Sequence, residues 1–247
     1  MLRRAFSLVE LLVVVSIISM LLLLLSPVLG RARKLVRSVN CRSNLHQIQL
    51  AMTGYVQAYK GDIFRYYLTF DTFWVNHLRK FNGNIDDIRL CPSAAKEGYG
   101  VGSFCTAWTG RYSPGSWMNN GQRFIYGSYG FNAWLHPNPG RGPQEYYFGT
   151  LDKVRVPDTV PAFLDANWVD GWLDHTDPPP PDRRGSTTVP NLARFAIKRH
   201  GQSINGSFMD GSARNIPLDD LFQYQWSVGF QVGSPLVLPP DEDDSSG

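Results

Sequence analysis

The stretch from Phe6 to Leu25, FSLVELLVVVSIISMLLLLL, holds twenty residues and a single charge, Glu10. Wound as a helix at 1.5 Å per residue it spans roughly 30 Å, the thickness of a bilayer's hydrocarbon core. Only MLRRA precedes it, with Arg3 and Arg4, and no small-x-small cleavage site follows it. The run leads instead into Ser26, Pro27 and then Arg31, Arg33, Lys34 and Arg37. A secretory signal has a shorter apolar region and a cleavage site at its end, so the stretch reads as a membrane-spanning helix. Glu10 needs a reason. A carboxylate at the centre of such a helix costs ~2.5–3.5 kcal/mol on insertion scales, and less near an end. It is therefore paired or functional, or it snorkels to the interface. Basic residues flank the run on both sides, so the charge rule alone does not set its orientation.

Beyond the span, residues 31–59 contain no proline. Cys41, Leu45, Ile48, Met52, Tyr55 and Tyr59 recur at intervals of three and four, the apolar stripe of an amphipathic helix. Arg42, Asn44, Gln47 and Gln57 occupy the other face. The expectation is one helix of roughly 80 Å. Its first half lies in lipid and its second half packs on a sheet, with Pro27 and Gly30 interrupting or bending it. The stripe reads as core.

The short basic leader, the small Ala5, the aromatic Phe6 and Glu10 at the fifth position of an unbroken apolar helix resemble the prepilin cleavage and methylation signature of type IV pilins and type II secretion pseudopilins. That resemblance implies cleavage between Ala5 and Phe6, where the family has Gly before the cut, and N-methylation of Phe6. It gives Glu10 a role in assembly, pairing with a neighbour's terminal ammonium, and it matches Pro27 to a helix proline of the family. It implies prepilin peptidase, an inner-membrane assembly platform and other pilin or pseudopilin subunits as partners. The implied location is the bacterial inner membrane, crossed once, with the globular part periplasmic and later in a periplasmic or surface filament.

The rest of the chain is rich in aromatic residues, Gly and Pro, which favours β-structure with long loops over a helical bundle. A net charge of +3, with no basic tract interleaved with aromatics, argues against nucleic acid as a partner. Residues 60–90 read as loop and short helix, with Phe73, Trp74 and Leu78 packing inward. Residues 92–127 read as an irregular loop excursion. Tyr129–Asn132 starts a turn or strand, and Val160–Ala166 is a buried strand ending at Asp165. The stretch WVDGWLDHTDPPPPDRRG reads as a surface loop, because its prolines cannot join a ladder. Ile204–Met209 and Ser212–Ile216 flank Asp210-Gly211, a two-residue hairpin signal.

CRSNL around Cys41, a later Cys-Pro at Cys91, and His200 followed after nine residues by Asp210-Gly211 resemble a large pilin-like group with its own C-terminal domain. The comparison makes Cys41 and Cys91 the better-matched disulfide pair. A local Cys91–Cys105 bridge and three unpaired thiols stay open beside it. His200 and Asp210 read as a hydrogen-bonded corner closing the sheet, the imidazole meeting either the carboxylate or the turn backbone, with a metal or ligand site there as the lesser alternative.

Asp165, Asp170, Asp174, His175 and Asp177 offer donors for Ca²⁺, but their spacing departs from an EF-hand loop. They read as solvated loop acids, and no metal or other cofactor is assigned. No nucleophile elbow, phosphate loop or dinucleotide fingerprint occurs, so no catalytic residue is assigned.

The expected fold is α+β and pilin-like: a long N-terminal helix packed on an antiparallel sheet with elaborated loops. The expected segments are a leader (1–5), a transmembrane half (6–29), an amphipathic half (30–59), a globular domain (60–236) and an acidic flexible tail (237–247). The expected function is structural, a filament subunit and not an enzyme. A non-polymerising, membrane-anchored periplasmic binding module is the first alternative, and an anchored enzyme using the His200 region is the second.

Overall fold

The computed structural model describes residues 8–65, 74–95, 100–111, 124–137 and 141–241. Helix α1 runs Leu8–Ala58, with Pro27 inside it. Helical conformation passes through Pro27 and Gly30, where an interruption or a bend was expected; no break in the helix occurs there. The chain divides into two compact units, residues 1–37 and 38–247. In the first unit Leu8 to Leu29 stay exposed, presenting an apolar surface on every side of the helix. In the second, α1 buries Cys41, Leu45, Ile48, Gln49, Ala51, Met52 and Val56. The stripe is thus right up to Met52 and then shifts to Val56. Tyr55 is half-buried, and Tyr59 lies outside the helix, 48% exposed, with its ring stacked on Tyr55 at 4.3 Å. The helix stops because Lys60 and Gly61 take positive φ (55° and 99°), which lets the Gly61 N–H reach Val56 O at 2.8 Å.

Two short helices follow, α2 (Trp74–Leu78) and α3 (Ile85–Ile88). Trp74 and Leu78 are fully buried, as expected, whereas Phe73 lies outside the described residues. The expected loop excursion contains β1 (Trp108–Arg111) and β2 (Phe124–Gly127), paired antiparallel as Trp108 with Gly127 through Arg111 with Phe124. Four-residue strands amid Gly and Ser carry too little alternation to be read in advance. Gly127 is required there, since a Cβ would stand 2.4 Å from the Trp108 ring.

The main sheet is built from β3 (Tyr129–Asn132), β4 (Pro161–Asp165), β5 (Asp170–Gly171), β6 (Ser203–Phe208) and β7 (Ala213–Pro217). Among the described residues its order is β5-β3-β4-β6-β7, antiparallel except for the β3–β5 pair. The expected α+β architecture, a long N-terminal helix followed by a mostly antiparallel sheet, is what the chain forms. The hairpin predicted at Asp210-Gly211 is present: Ser207 pairs with Ala213, and Gly211 turns the chain at φ 93°. The Asp210 carboxylate accepts from Ser212 N at 2.9 Å and from Ser212 Oγ at 2.7 Å, a side-chain turn that needs Asp or Asn.

Period-two alternation divides the sheet between two cores. Tyr129, Phe131 and Phe163 join α1, α2 and Trp74 in one apolar cluster. Leu164, Ile204, Phe208 and Ile216 join α4 (Leu192–Phe195), Leu218–Gln223 and Trp226 in the other. The α1-facing side of β6 is polar, so α1 answers with polar groups. Ser207 Oγ donates to Gln49 Oε1 at 3.3 Å, and Asn205 Nδ2 donates to Ser38 Oγ at 3.2 Å.

The stretch 168–185 is not the surface loop expected of it. Val169, Trp172 and Leu173 are buried, and Asp170–Gly171 pair in parallel with Phe131 and Asn132. The prolines at 178–181 stay out of every strand, as predicted, but in the aromatic half Trp168 and Val169 pack on the first core and Trp172 and Leu173 on the second. Likewise the acidic tail is held to the head as far as Asp241. Lys198 Nζ meets Asp241 Oδ1 at 2.6 Å, and Arg183 Nε donates to Pro239 O at 2.7 Å.

His136 sits beside this second core at 1% exposure, 5.2 Å from the Tyr147 ring and edge-on to Trp172. Burial there holds its pKa down at about 4. Between pH ~6.5 and ~4 the unfolded chain therefore binds a proton that the folded chain refuses. The stability this group supplies is complete above pH ~6.5 and falls with acidification, by at most about 1.4 kcal/mol per pH unit. Urea unfolding of the detergent-solubilised chain at several pH values should show His136→Phe with a shallower acid slope over that window. An identical slope would remove His136 as the cause.

Candidate functional site

Two features of the chain carry chemistry, each within its own unit. The first is the N-terminal segment. Helix α1 is long and apolar enough to cross a membrane, and none of its most apolar window is buried. Glu10 lies in its first described turn and Pro27 lies within the same apolar segment. Ala5 and Phe6, the residues of the expected cleavage and methylation, fall outside the described residues.

The second feature is a buried polar cluster in the 38–247 unit. Four elements build it. Helix α1 points Cys41 at the sheet; the turn after α3 delivers Cys91; β4 ends on Asp165; and the segment entering β6 supplies Arg199 and His200. An acid that ends an apolar strand at 0% exposure must be answered by donors, and Asp165 is. Its Oδ1 lies 3.2 Å from Arg199 Nη1, and its Oδ2 lies 3.2 Å from His200 Nε2 and 2.8 Å from the Asn205 N–H. Cys41 Sγ stands 3.5 Å from both carboxylate oxygens, Cys91 Sγ stands 3.4 Å from His200 Nε2, and Tyr129 Oη donates to Cys41 Sγ at 3.3 Å. One ligating atom from each of Cys41, Cys91, Asp165 and His200 lies within 4.8 Å of the other three.

Arg199 is the frame of this cluster. Besides Asp165, its guanidinium donates to Ser103 O (2.7 Å), Ala166 O (3.1 Å), Phe104 O (3.2 Å) and Ser128 O. These carbonyls belong to the loop at 103–104 and to the residues flanking β3 and β4, which the guanidinium ties to one another. The electrostatics follow the geometry. Burial opposes ionisation of Asp165, but His200, Arg199 and the Asn205 N–H outweigh it and hold the carboxyl below its usual range. Burial also works against the His200 imidazolium, yet the hydrogen bonds to Asp165 and Cys91 raise it to about 9. Burial and the neighbouring Cys91 push the Cys41 thiol well up. Cys91 is also buried, but hydrogen bonds from Cys41 and His200, with the Arg199 charge nearby, bring it down to about 6.

The expected corner between His200 and Asp210 does not form. The two lie at opposite ends of β6, because His200 enters the strand and Asp210 leaves it for the turn, so the hairpin holds them apart. Asp210 bonds within its own turn and pairs with Arg214 at 3.8 Å. Cys41 and Cys91, the pair the resemblance favours for a bridge, meet in the cluster as two unbridged thiols, while Cys105 is exposed.

The five donors of residues 165–177 do not converge on one point either, although His175 Nδ1 lies 3.5 Å from Asp174 Oδ1. Asp165 serves the cluster, and Asp170 pairs with buried Arg194 at 2.8 Å. Asp174 caps Thr176, and Asp177 accepts from the Asp174 and Leu192 N–H groups. Sequence reasoning singled out His200, Cys41 and Cys91 but missed Arg199 and Tyr129. The available signal was the lone acid at the end of VPAFLD, which demanded a buried cation.

Residues 1–26 match the family model described as the prokaryotic N-terminal methylation motif. No curated protein matches the chain, and no solved structure matches it. The motif implies processing by prepilin peptidase and assembly with other pilin subunits, and with the apolar helix it points to membrane anchoring. In this N-terminal segment, followed by a long helix and a mostly antiparallel sheet, the chain is similar to type IV pilin-like, prepilin-processed proteins.

Proposed function

We propose that the chain is a structural subunit of a type IV pilus-like or type II secretion pseudopilus filament, inserted once in a bacterial inner membrane with its head in the periplasm. The observation that carries this reading is the methylation motif over residues 1–26, with Glu10 inside an otherwise apolar, exposed helix. Cleavage between Ala5 and Phe6 frees an ammonium at Phe6, and a neighbouring subunit's Glu10 pairs with it in a medium where an isolated charge is penalised. The apolar helices then bury one another as subunits leave the lipid. The head displays its loops.

Two measurements test this. The native chain, extracted from membranes of cells with active prepilin peptidase, should begin at N-methylated Phe6; an intact MLRRA leader would overturn the polymer reading in favour of an anchored module. Glu10→Leu should leave insertion intact and lower subunit incorporation at least about tenfold, the change expected if the pairing is worth ~1.4 kcal/mol. Unchanged incorporation would sink the role given to Glu10.

A further inference from the structure

We propose that Cys41, Cys91, Asp165 and His200 form a closed structural Zn²⁺ site that fastens α1 to the sheet. Ligands about 2.0–2.3 Å from a tetrahedral Zn²⁺ stand about 3.3–3.8 Å from one another. Three of the six edges of such a tetrahedron lie in or next to that range, and all six are under 4.8 Å. Cys41 Sγ to the Asp165 oxygens is 3.5 Å, Cys91 Sγ to His200 Nε2 is 3.4 Å, and His200 Nε2 to Asp165 Oδ2 is 3.2 Å. Two sulfurs, an imidazole nitrogen and a carboxylate oxygen are a donor set suited to Zn²⁺, and four of them leave no open position for a substrate.

The surroundings fit as well as the ligands do. Two thiolates and a carboxylate carry three negative charges against the ion's two, and Arg199, 3.2 Å from Asp165 Oδ1, supplies the balancing positive charge in a site that excludes water. The Tyr129 hydroxyl donates to Cys41 Sγ at 3.3 Å, and the Ser93 N–H donates to Cys91 Sγ at 3.4 Å. Such outer hydrogen bonds orient thiolate ligands and stabilise their charge. Binding expels whatever protons the two thiols and His200 Nε2 still carry, with no change of oxidation state. The competing fate of the same two sulfurs is a disulfide, which needs an oxidant and would remove both as ligands.

The test uses the full chain in detergent, reduced and stripped of metal, then titrated with Co²⁺ and back-titrated with Zn²⁺. The expected result is one equivalent of Co²⁺ bound, with thiolate-to-cobalt charge-transfer absorption and the intense visible bands of a tetrahedral ion, all bleached by Zn²⁺. Cys105→Ser should keep the spectrum, Cys91→Ser should lower the charge-transfer absorption to about half or abolish binding, and Tyr129→Phe should weaken Zn²⁺ binding about tenfold or more. Because the wild-type spectrum is itself diagnostic, the test stands even where a variant fails to fold. Absence of stoichiometric binding by the wild-type chain would overturn the site. So would an unchanged spectrum in Cys91→Ser, or a Cys41–Cys91 peptide recovered as a disulfide from chain isolated without reductant.

Discussion

Replacing Arg199 by Met should lower the unfolding free energy of the head by about 3–5 kcal/mol, the range for breaking one partner out of a buried ion pair. Met keeps an unbranched apolar stem about as far as the Arg Nε position, so the loss is chiefly that of the guanidinium. Two things go with it. Asp165, at 0% exposure, keeps His200 but loses its permanent cation. The carbonyls of Ser103, Phe104, Ser128 and Ala166 each lose a donor, the last two in fully buried positions. Arg199→Lys should recover only part of the loss, since one ammonium does not reproduce a planar fork that reaches several loops at once. The measurement is the urea midpoint of the solubilised chain by near-ultraviolet circular dichroism. A shift worth less than about 1 kcal/mol for Arg199→Met would show that the cluster is not the keystone described.

Trp74→Ala should cost about as much, 3–5 kcal/mol, by a different route. The Trp74 ring is fully buried, 5.0 Å from Phe163, in the core shared by α1, α2 and the sheet. Its Nε1–H donates to Val169 O at 3.3 Å, but that oxygen also accepts from the Phe131 N–H at 3.0 Å and is not orphaned by the substitution. The cost is therefore mostly cavity and lost dispersion, and it depends on how far the neighbours collapse. Trp74→Phe should restore more than half of it. A control at exposed Val189, 73% accessible, should move the midpoint by no more than about 0.5 kcal/mol on truncation to Ala. Near-equality of the Trp74→Ala and Val189→Ala effects would contradict the packing described.

These two residues mark different degrees of legibility. Trp74 announces itself as a large apolar side chain in a short helical segment, and its burial follows from the hydrophobic effect alone. Arg199 does not. Nothing about ARFAIKRHG distinguishes an arginine that enters the interior from one that faces solvent, because the answer lies in Asp165 and in loops up to 96 residues away. The same contrast separates the hairpin from its flanks. Asp210-Gly211 signals a turn by local backbone chemistry, whereas the two-residue strand at Asp170–Gly171 exists only because β3 offers an unpaired edge. The stripe on α1 was readable to Met52 and then drifted, since a helix turning 3.6 residues per turn hands the contact on to Val56.

What the sequence by itself determined is whatever depends on neighbours along the chain. That covers the membrane-length apolar helix with its single carboxylate, the methylation motif, the amphipathic continuation of the helix, the buried strand at 161–165 and the turn at 210–211. Each rests on periodicity, on local backbone preference, or on the energetics of burying an uninterrupted run of one kind of side chain. The tertiary structure alone decided that His200 faces Asp165 and not Asp210, that Cys41 and Cys91 meet beside them, and that Arg199 gathers the carbonyls of three loops. The physical reason is that a buried charge selects its partner by distance in space. A strand holds its own two ends apart, while folding brings the end of one strand against the start of another.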